Sequence, residues 1–412
     1  MTRKEILPGV FVTCLPASGE GSGLLSLYLV NRLCRENAAQ NALIPYVLVQ
    51  GTVRYSDAEA LSARLDSLGA QLTPQVRKLG EIQCVGLRME FAEDEALEDI
   101  ASLLGETLLS PNTRGGLFQP KFVENAKETV MDIQDARDED ERACSLSRLT
   151  ALMCDAEDYA VDALGTTDGL DSAGYVALTR HYRTVLAASP VEVFYCGPAR
   201  ADRVERAVTE ALITLPRGEL DLDIGTDIRM NALEAQPRHI TEEGFFTQNR
   251  VAIGYRLGEG AMLDPDMAAL AVLEAVLNGR LAADTDAYRD GRAHLDPMKG
   301  LLLITCAADD VPAAAERIDA LLRAVGEGDV SAQELSAAKA ALSQDLLEKA
   351  GAAAETEAFW LGQCLLGLEY GPAELAALGS DVPVAGVANA VADAECDTVY
   401  CLAAGMPAAS DG

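Results

Sequence analysis

Three carboxylates, Glu124, Glu128 and Asp132, recur every four residues in a stretch whose apolar positions Val123, Ala126, Val130 and Ile133 keep helical spacing. One helix face therefore carries all three, and such a set suits a hard cation such as Mg²⁺ or Ca²⁺ better than zinc. A solvated acidic face accounts for them as well, and the adjoining DARDEDER run favours that account. The three histidines, His181, His239 and His294, fall far apart in different predicted elements, whereas a zinc site normally draws two ligands from one short segment. Ten cysteines, at 14, 34, 84, 144, 154, 196, 306, 364, 396 and 401, form no C-x-x-C pair. Buried, reduced thiols fit that scatter better than disulfides or a zinc knuckle. No G-x-S-x-G elbow occurs, and no cysteine stands beside a plausible base. The run Gly19-Glu20-Gly21-Ser22-Gly23 lacks the lysine of a phosphate loop and the G-x-G-x-x-G spacing, so it reads as a flexible hairpin loop between two strands.

The elements that must position any chemistry follow from periodicity and punctuation. Strand-like runs cover 8–14 and 24–32, then 71–77 and 82–91. Ser56 with Glu59 forms a capping box for a helix from Ser56 to Leu68, which Gly69 ends. Leu97, Ile100, Ala101 and Leu104 mark another helix, closed by Gly105, and Pro120 opens a longer one through about Arg137. Pro45 is tolerated only in a first turn, so a short helix is expected to start near Ile44. Between Asn41 and Gln50 the only titratable or donating side chain is that of Tyr46. In the second half, Asp264 to Leu277, Ala313 to Val325 and Ala332 to Ala350 read as helices. The order of strands and helices implies an α+β fold with antiparallel sheets covered by helices.

At 412 residues, two domains are the natural prior. Composition is globular, with 49% hydrophobic and 24% charged residues. The net charge of -32 repels nucleic acid and anionic lipid, and either keeps the chain soluble or attracts a basic partner. No run of membrane-span length is present, and no secretory leader pattern opens the sequence. A cytoplasmic protein is expected.

The segment Asn41 to Thr52, NALIPYVLVQGT, resembles the place where the insulinase/pitrilysin metallopeptidases carry their inverted zinc motif, H-x-x-E-H, before a helix-ending G-T. Counting back from Gly51-Thr52, the two histidines and the glutamate of that motif fall on Ala42, Tyr46 and Pro45. All three are replaced. That motif works because imidazoles at i and i+4 bind zinc while the glutamate takes a proton from metal-bound water, and alanine, tyrosine and proline supply none of this. LIPYVLVQGT is similar to the degenerate form in bacterial peptidase-like proteins associated with 5-aminopentanol modification of elongation factor P. The resemblance extends over nearly the whole chain.

Several further expectations come with the resemblance. The third zinc ligand, a glutamate on the helix after Pro120, corresponds to Asp132, or to Glu128 in a shifted register. An R-E-x-x-x-L-A-Y-like stretch, whose arginine and tyrosine contact substrate in active peptidases, is represented by Gly279-Arg280 and Tyr288 in a shortened segment. The closing pattern of one domain, Leu164-Gly165, Ser172 to Tyr182 and Val191 to Cys196, recurs as Tyr370-Gly371, Leu378-Gly379, Pro383 to Ala392 and Thr398 to Leu402. Likewise Leu24 to Val30 finds a counterpart in Arg250 to Leu257. This internal repeat implies two related domains of the mitochondrial processing peptidase type, 1–215 and 242–412, joined by a linker at 216–241.

The leading functional reading is a pseudoenzyme with no cofactor and no zinc. It would serve as the non-catalytic member of a heterodimer with a paralogous insulinase-family subunit, holding an extended peptide by strand addition, in the setting of elongation factor P modification. Alternatives are a metal-dependent peptidase with a site rebuilt from Glu128, Asp132 and a histidine, or a stand-alone binding or scaffold protein, for example a homodimer. Neither nucleic acid nor membrane is an expected partner.

Overall fold

A computed structural model describes residues 3–16, 22–244, 246–258 and 266–405. Strands β1 (Arg3–Leu7), β2 (Val10–Pro16) and β3 (Gly23–Arg32) lead into helices α1 (Ala38–Leu48) and α2 (Ala58–Ser67). Strands β4 (Ala70–Leu79) and β5 (Ile82–Phe91), helix α3 (Leu97–Leu109) and a short hairpin, β6 (Thr113–Arg114) with β7 (Leu117–Phe118), precede α4 (Pro120–Glu139) and α5 (Glu141–Met153). Helices α6 (Thr167–Ser172) and α7 (Tyr175–Ala188), strand β8 (Val191–Gly197) and helix α8 (Ala201–Leu212) complete the first half. The second half contains β9 (Arg238–Gly244), β10 (Arg250–Arg256), α9 (Met267–Ala283), β11 (Arg289–Asp296) and β12 (Leu301–Ala307). It closes with α10 (Val311–Gly326), α11 (Ala332–Gly351), α12 (Ala353–Leu366), α13 (Pro372–Asp381), α14 (Val384–Asn389) and β13 (Glu395–Ala404).

The chain folds as two α+β units, but no single cut in the sequence separates them. Unit 1 is built from residues 1–134, 161–225 and 349–370, and unit 2 from 135–160, 226–348 and 371–412. The two sheets share one strand plan. In unit 1 the order is β1-β2-β8-β3-β5-β4, and in unit 2 it is β11-β12-β10-β13-β9. Reversing the second list places β9, β13, β10, β12 and β11 on β2, β8, β3, β5 and β4. The correspondence extends to direction, because β2 with β8 and β9 with β13 are the parallel ladders and the other pairs are antiparallel. The repeat read from Leu24–Val30 and Arg250–Leu257 is thus a repeat of whole sheets. Residues 238–241, read as linker, begin β9.

Segments 135–160 and 349–370 cross between the halves. Helix α5, encoded in the first half, covers the unit 2 sheet, where Leu149 and Met153 pack with Ala252, Leu301, Leu303, Tyr400 and Leu402. Gly254 on β10 makes room for it, since a Cβ there would lie 2.3 Å from the Met153 sulfur. Helix α12, encoded in the second half, lies on unit 1. Strand alternation sends Leu25, Leu27 and Leu29 of β3 into the core shared with α1, α3, α7 and α8. Ser26 and Tyr28 therefore face the other way, and Ser26 is bonded to Glu357 of α12.

Other local differences have clear causes. Strands β2 and β3 do not form a hairpin, because β8 lies between them; their connection at 17–21 falls outside the described residues. Helix α2 is capped by Asp57, whose carboxylate accepts the Ala60 N–H at 2.9 Å, in place of the Ser56–Glu59 box. Helix α3 runs through Gly105, which is a packing glycine: a Cβ would sit 2.5 Å from the carbonyl oxygen of Ala211 on α8. In an exposed helix Gly→Ala gains about 0.5–1 kcal/mol. Gly105→Ala is expected to do the reverse, costing about 1–3 kcal/mol through overpacking; urea midpoints of the two proteins measure the sign.

Candidate functional site

Helix α1 starts at Ala38, not near Ile44, and carries Pro45 in its interior. An internal proline loses one backbone bond and costs about 3 kcal/mol. Burial offsets this, because nine of the eleven α1 residues are buried, on every side of the helix. Ala42 is wholly inaccessible and Pro45 is buried with it, while Tyr46 is half-buried and its phenol is pushed above its usual pKa by desolvation. A methyl group, a pyrrolidine ring and a neutral phenol do not fit a zinc ion. On α4, Val123, Ala126, Lys127, Val130 and Gln134 face inward, so Glu124, Glu128 and Asp132 stand exposed on the outer face. Among the described residues no three His, Cys, Asp or Glu are grouped so as to hold a metal.

The G-T that follows has its own reason to persist. Gly51 has φ 149°, and a Cβ would meet the Tyr55 carbonyl at 2.8 Å and the Asp57 nitrogen at 2.9 Å. The buried Thr52 hydroxyl donates to Glu106 at 2.7 Å and accepts the N–H groups of Arg54 and Tyr55 at 3.2 and 3.0 Å. Its backbone N–H donates to the Tyr55 carbonyl at 2.6 Å. These contacts close the turn after α1 and tie it to α3 without any metal.

Beside Ala42 lies a polar chain that the sequence reading did not assemble. Gln83 donates to the carbonyls of Ala38 and Ala163, at 3.0 and 2.5 Å, so its oxygen faces Asn41 and accepts from the Asn41 amide at 2.8 Å. The Asn41 oxygen is left to accept from Nε2 of His181, at 2.6 Å. This order fixes the Nε2–H tautomer. Desolvation lowers the His181 pKa. The imidazole therefore ends a structural hydrogen-bond chain, with no nucleophile beside it in that chain.

The second-half candidates have partners of their own. Arg280, on α9, is paired with Glu334 at 2.5 Å and also donates to the Asp329 carbonyl. Tyr288 is 2% exposed, and burial with the nearby Asp284 carboxylate pushes its phenol up to about 12. His239 and His294 are exposed on β9 and β11.

No protein-family model matches the chain. It is 25% identical over 391 residues, 90% of each sequence, to a Bacillus subtilis protein described as the probable inactive metalloprotease YmfF. Its fold matches the crystal structure of a conserved Enterococcus faecalis protein with a TM-score of 0.85, at 17% identity and 99% coverage of both chains. It also matches the peptidase M16 inactive domain from Pseudomonas fluorescens, with a TM-score of 0.78 at 16% identity, over 100% of this chain and 99% of that one. The chain thus resembles a probable inactive metalloprotease over most of its length and shares the fold of an inactive M16 peptidase domain.

A second set of buried and half-buried polar groups lies where the crossing segments dock. In unit 2, Glu157 follows α5 and takes ion pairs from Arg256 at 2.7 Å, Lys299 at 2.6 Å and Arg229. Arg256 and Lys299 are fully inaccessible, and Arg256 also pairs with Asp397 of β13 at 2.9 Å. These cations hold both the Glu157 and Asp397 carboxyls below their usual pKa range, against the effect of burial. At the start of α5, Glu141 accepts from Thr247 and Gln248, while Asp290 makes two bonds to Arg250, at 2.9 and 2.7 Å. In unit 1 the buried Glu357 of α12 accepts from Ser26 and from Arg77, each at 2.9 Å. No sequence pattern marks these groups, since their partners are up to hundreds of residues away.

Two outcomes follow. Removing one partner of a buried ion pair strands the other, so Glu157→Ala is expected to cost about 3–5 kcal/mol, measured by denaturant unfolding, and to raise hydrogen exchange along α5. A histidine whose folded pKa is depressed contributes stability above its unfolded value of about 6.5, and loses it as pH falls through the lower folded value. Stability should therefore decline on acidification below about pH 6.5, and His181→Gln should remove that part of the slope in pH-dependent unfolding curves.

Proposed function

We propose that this catalytically inactive peptidase homologue acts as the non-catalytic subunit of a zinc-peptidase paralogue and binds extended peptide for it. The observation that supports the reading is a buried helix closed by the Gly51-Thr52 turn, where the resemblance expects the zinc motif, with Ala42, Pro45 and Tyr46 at the positions of its ligands and base. A cytoplasmic setting, the modification of elongation factor P, and peptide contacts from Arg280 and Tyr288 belong to the same proposal. A homodimer is the competing assembly. No observation favours a rebuilt metal site, since Glu128 and Asp132 are exposed on α4 and His181 is engaged by Asn41.

Co-expression with a paralogue that keeps H-x-x-E-H tests the assembly. A stable one-to-one complex on gel filtration, with chelator-sensitive peptidase activity that survives Asp132→Ala in this chain, is expected. Two independent species, or a homodimer that excludes the paralogue, would overturn it. The purified chain alone, grown with zinc and desalted without chelator, is expected to show background metal by inductively coupled plasma mass spectrometry; near-stoichiometric zinc would bring the peptidase reading forward.

A further inference from the structure

The two sheets end in four edge strands, β1 and β4 in unit 1 and β9 and β11 in unit 2. An edge strand offers unpaired N–H and C=O groups to any passing strand, and folds guard such edges with proline, bulges or short charged strands. Three of these edges are guarded. Strand β4 carries Pro74 at its centre, within a ladder to β5 that runs unshifted from Ala70 to Leu79; a proline in such a ladder sits with its nitrogen outward, where an added strand would need a donor. Strand β11 loses register between Arg289 and Arg292, around Asp290 at φ 48°. Strand β1 has five residues, opens with Arg3-Lys4-Glu5, and shifts register between Glu5 and Leu7.

Strand β9 carries charged Arg238, Glu242 and Glu243 but has neither the proline nor the register shift that guards the others. It pairs with β13 in unbroken register over seven residues, Arg238 to Gly244, and contains no proline. Among the described residues its one backbone bond besides that ladder is the Gly405 N–H to the Gly244 carbonyl. Unit 1 shows what its counterpart edge accepts. There β1 lies antiparallel on β2, the strand that matches β9 in order and direction. Basic Arg3 reaches Glu192 on β8 at 3.1 Å and stacks 3.6 Å over the Phe11 ring, and Ile6 and Leu7 pack on the core. On β9, unlike β1, exposure alternates from residue to residue. His239, Thr241 and Glu243 are exposed, while Ile240, with Phe246 beyond the strand, packs against the core under α5. The net charge of -32 selects further against an acidic guest.

We propose that the β9 edge binds, as an antiparallel sixth strand, an extended partner segment in which basic and apolar residues alternate. This deepens the peptide-binding part of the function above and rests on it. It commits to one edge and one chemistry.

The probe is a fluorescein-labelled peptide alternating arginine and valine, titrated into the full chain at low salt and followed by fluorescence polarisation and hydrogen exchange. Saturable binding that slows exchange at 239–243 is expected. Glu243→Lys, an exposed change, should weaken it roughly fivefold, the scale of one cross-strand charge pair, without moving the unfolding midpoint. N-methylation of alternate backbone nitrogens should abolish binding, and replacing arginine by glutamate should do the same. Protection appearing on β1, β4 or β11 instead would overturn the β9 assignment while leaving peptide binding intact. Equal binding by the N-methylated peptide would overturn strand addition at any edge. Absence of binding to the full chain would overturn the inference together with the peptide-binding reading, and concentration-dependent dimerisation that protects 239–243 would assign the edge to a second copy of the chain.

Discussion

Two glutamates anchor the crossing segments, the largely shielded Glu157 and the fully buried Glu357. Each belongs to a segment that the other half of the sequence contributes, and each meets cations or donors fixed on the sheet it joins. A carboxylate taken from water without such partners costs several kcal/mol, so neither crossing segment can dock in an approximate position. Apolar contact under α5, from Leu149 and Met153, supplies the bulk attraction. The ion pairs from Arg256, Lys299 and Arg77 select the register. The pairing is reciprocal, and so is the dependence: each sheet has one face covered by a helix from the other half of the sequence.

Against this frame the emptied motif loses its mystery. The α1 segment is held by burial, by the Asn41–Gln83–His181 chain and by the Gly51-Thr52 turn. Ala42, Pro45 and Tyr46 contribute packing there and no metal-ligand chemistry. The price is Pro45, whose missing bond in mid-helix is tolerated only because so much of its helix is buried.

Most of the fold was legible in local pattern. Apolar runs marked β3, β5, β10 and β8, and helical spacing marked α3, α4, α10 and α11, each to within a few residues. The failures have physical causes. Gly105 and Pro45 carry breaker chemistry in helices that tertiary packing sustains, so local propensity pointed the wrong way. Asp57 outcompeted Ser56 as a cap, one residue along. At the candidate site, the lack of metal-ligating side chains between Asn41 and Gln50 was legible in the sequence, whereas Asn41, Gln83 and His181, or Glu157 and Arg256, come together only through strand order. The exchange of α5 and α12 left no signal, because an amphipathic helix does not encode which sheet it will cover.

That exchange has a consequence for how the molecule comes into being. Unit 1 lacks α12 until residue 366 has been made, and unit 2 needs β13, which ends at Ala404, to close its sheet. A chain synthesised from its N-terminus therefore cannot finish one unit and then begin the next, as ordinary tandem domains do. Both mature only once these late segments are present, through contacts between segments hundreds of residues apart, with the loop-closure entropy that such pairings carry. Until then one face of the first sheet, with the polar row of Ser26, Tyr28 and Glu192, waits without the cover that α12 supplies.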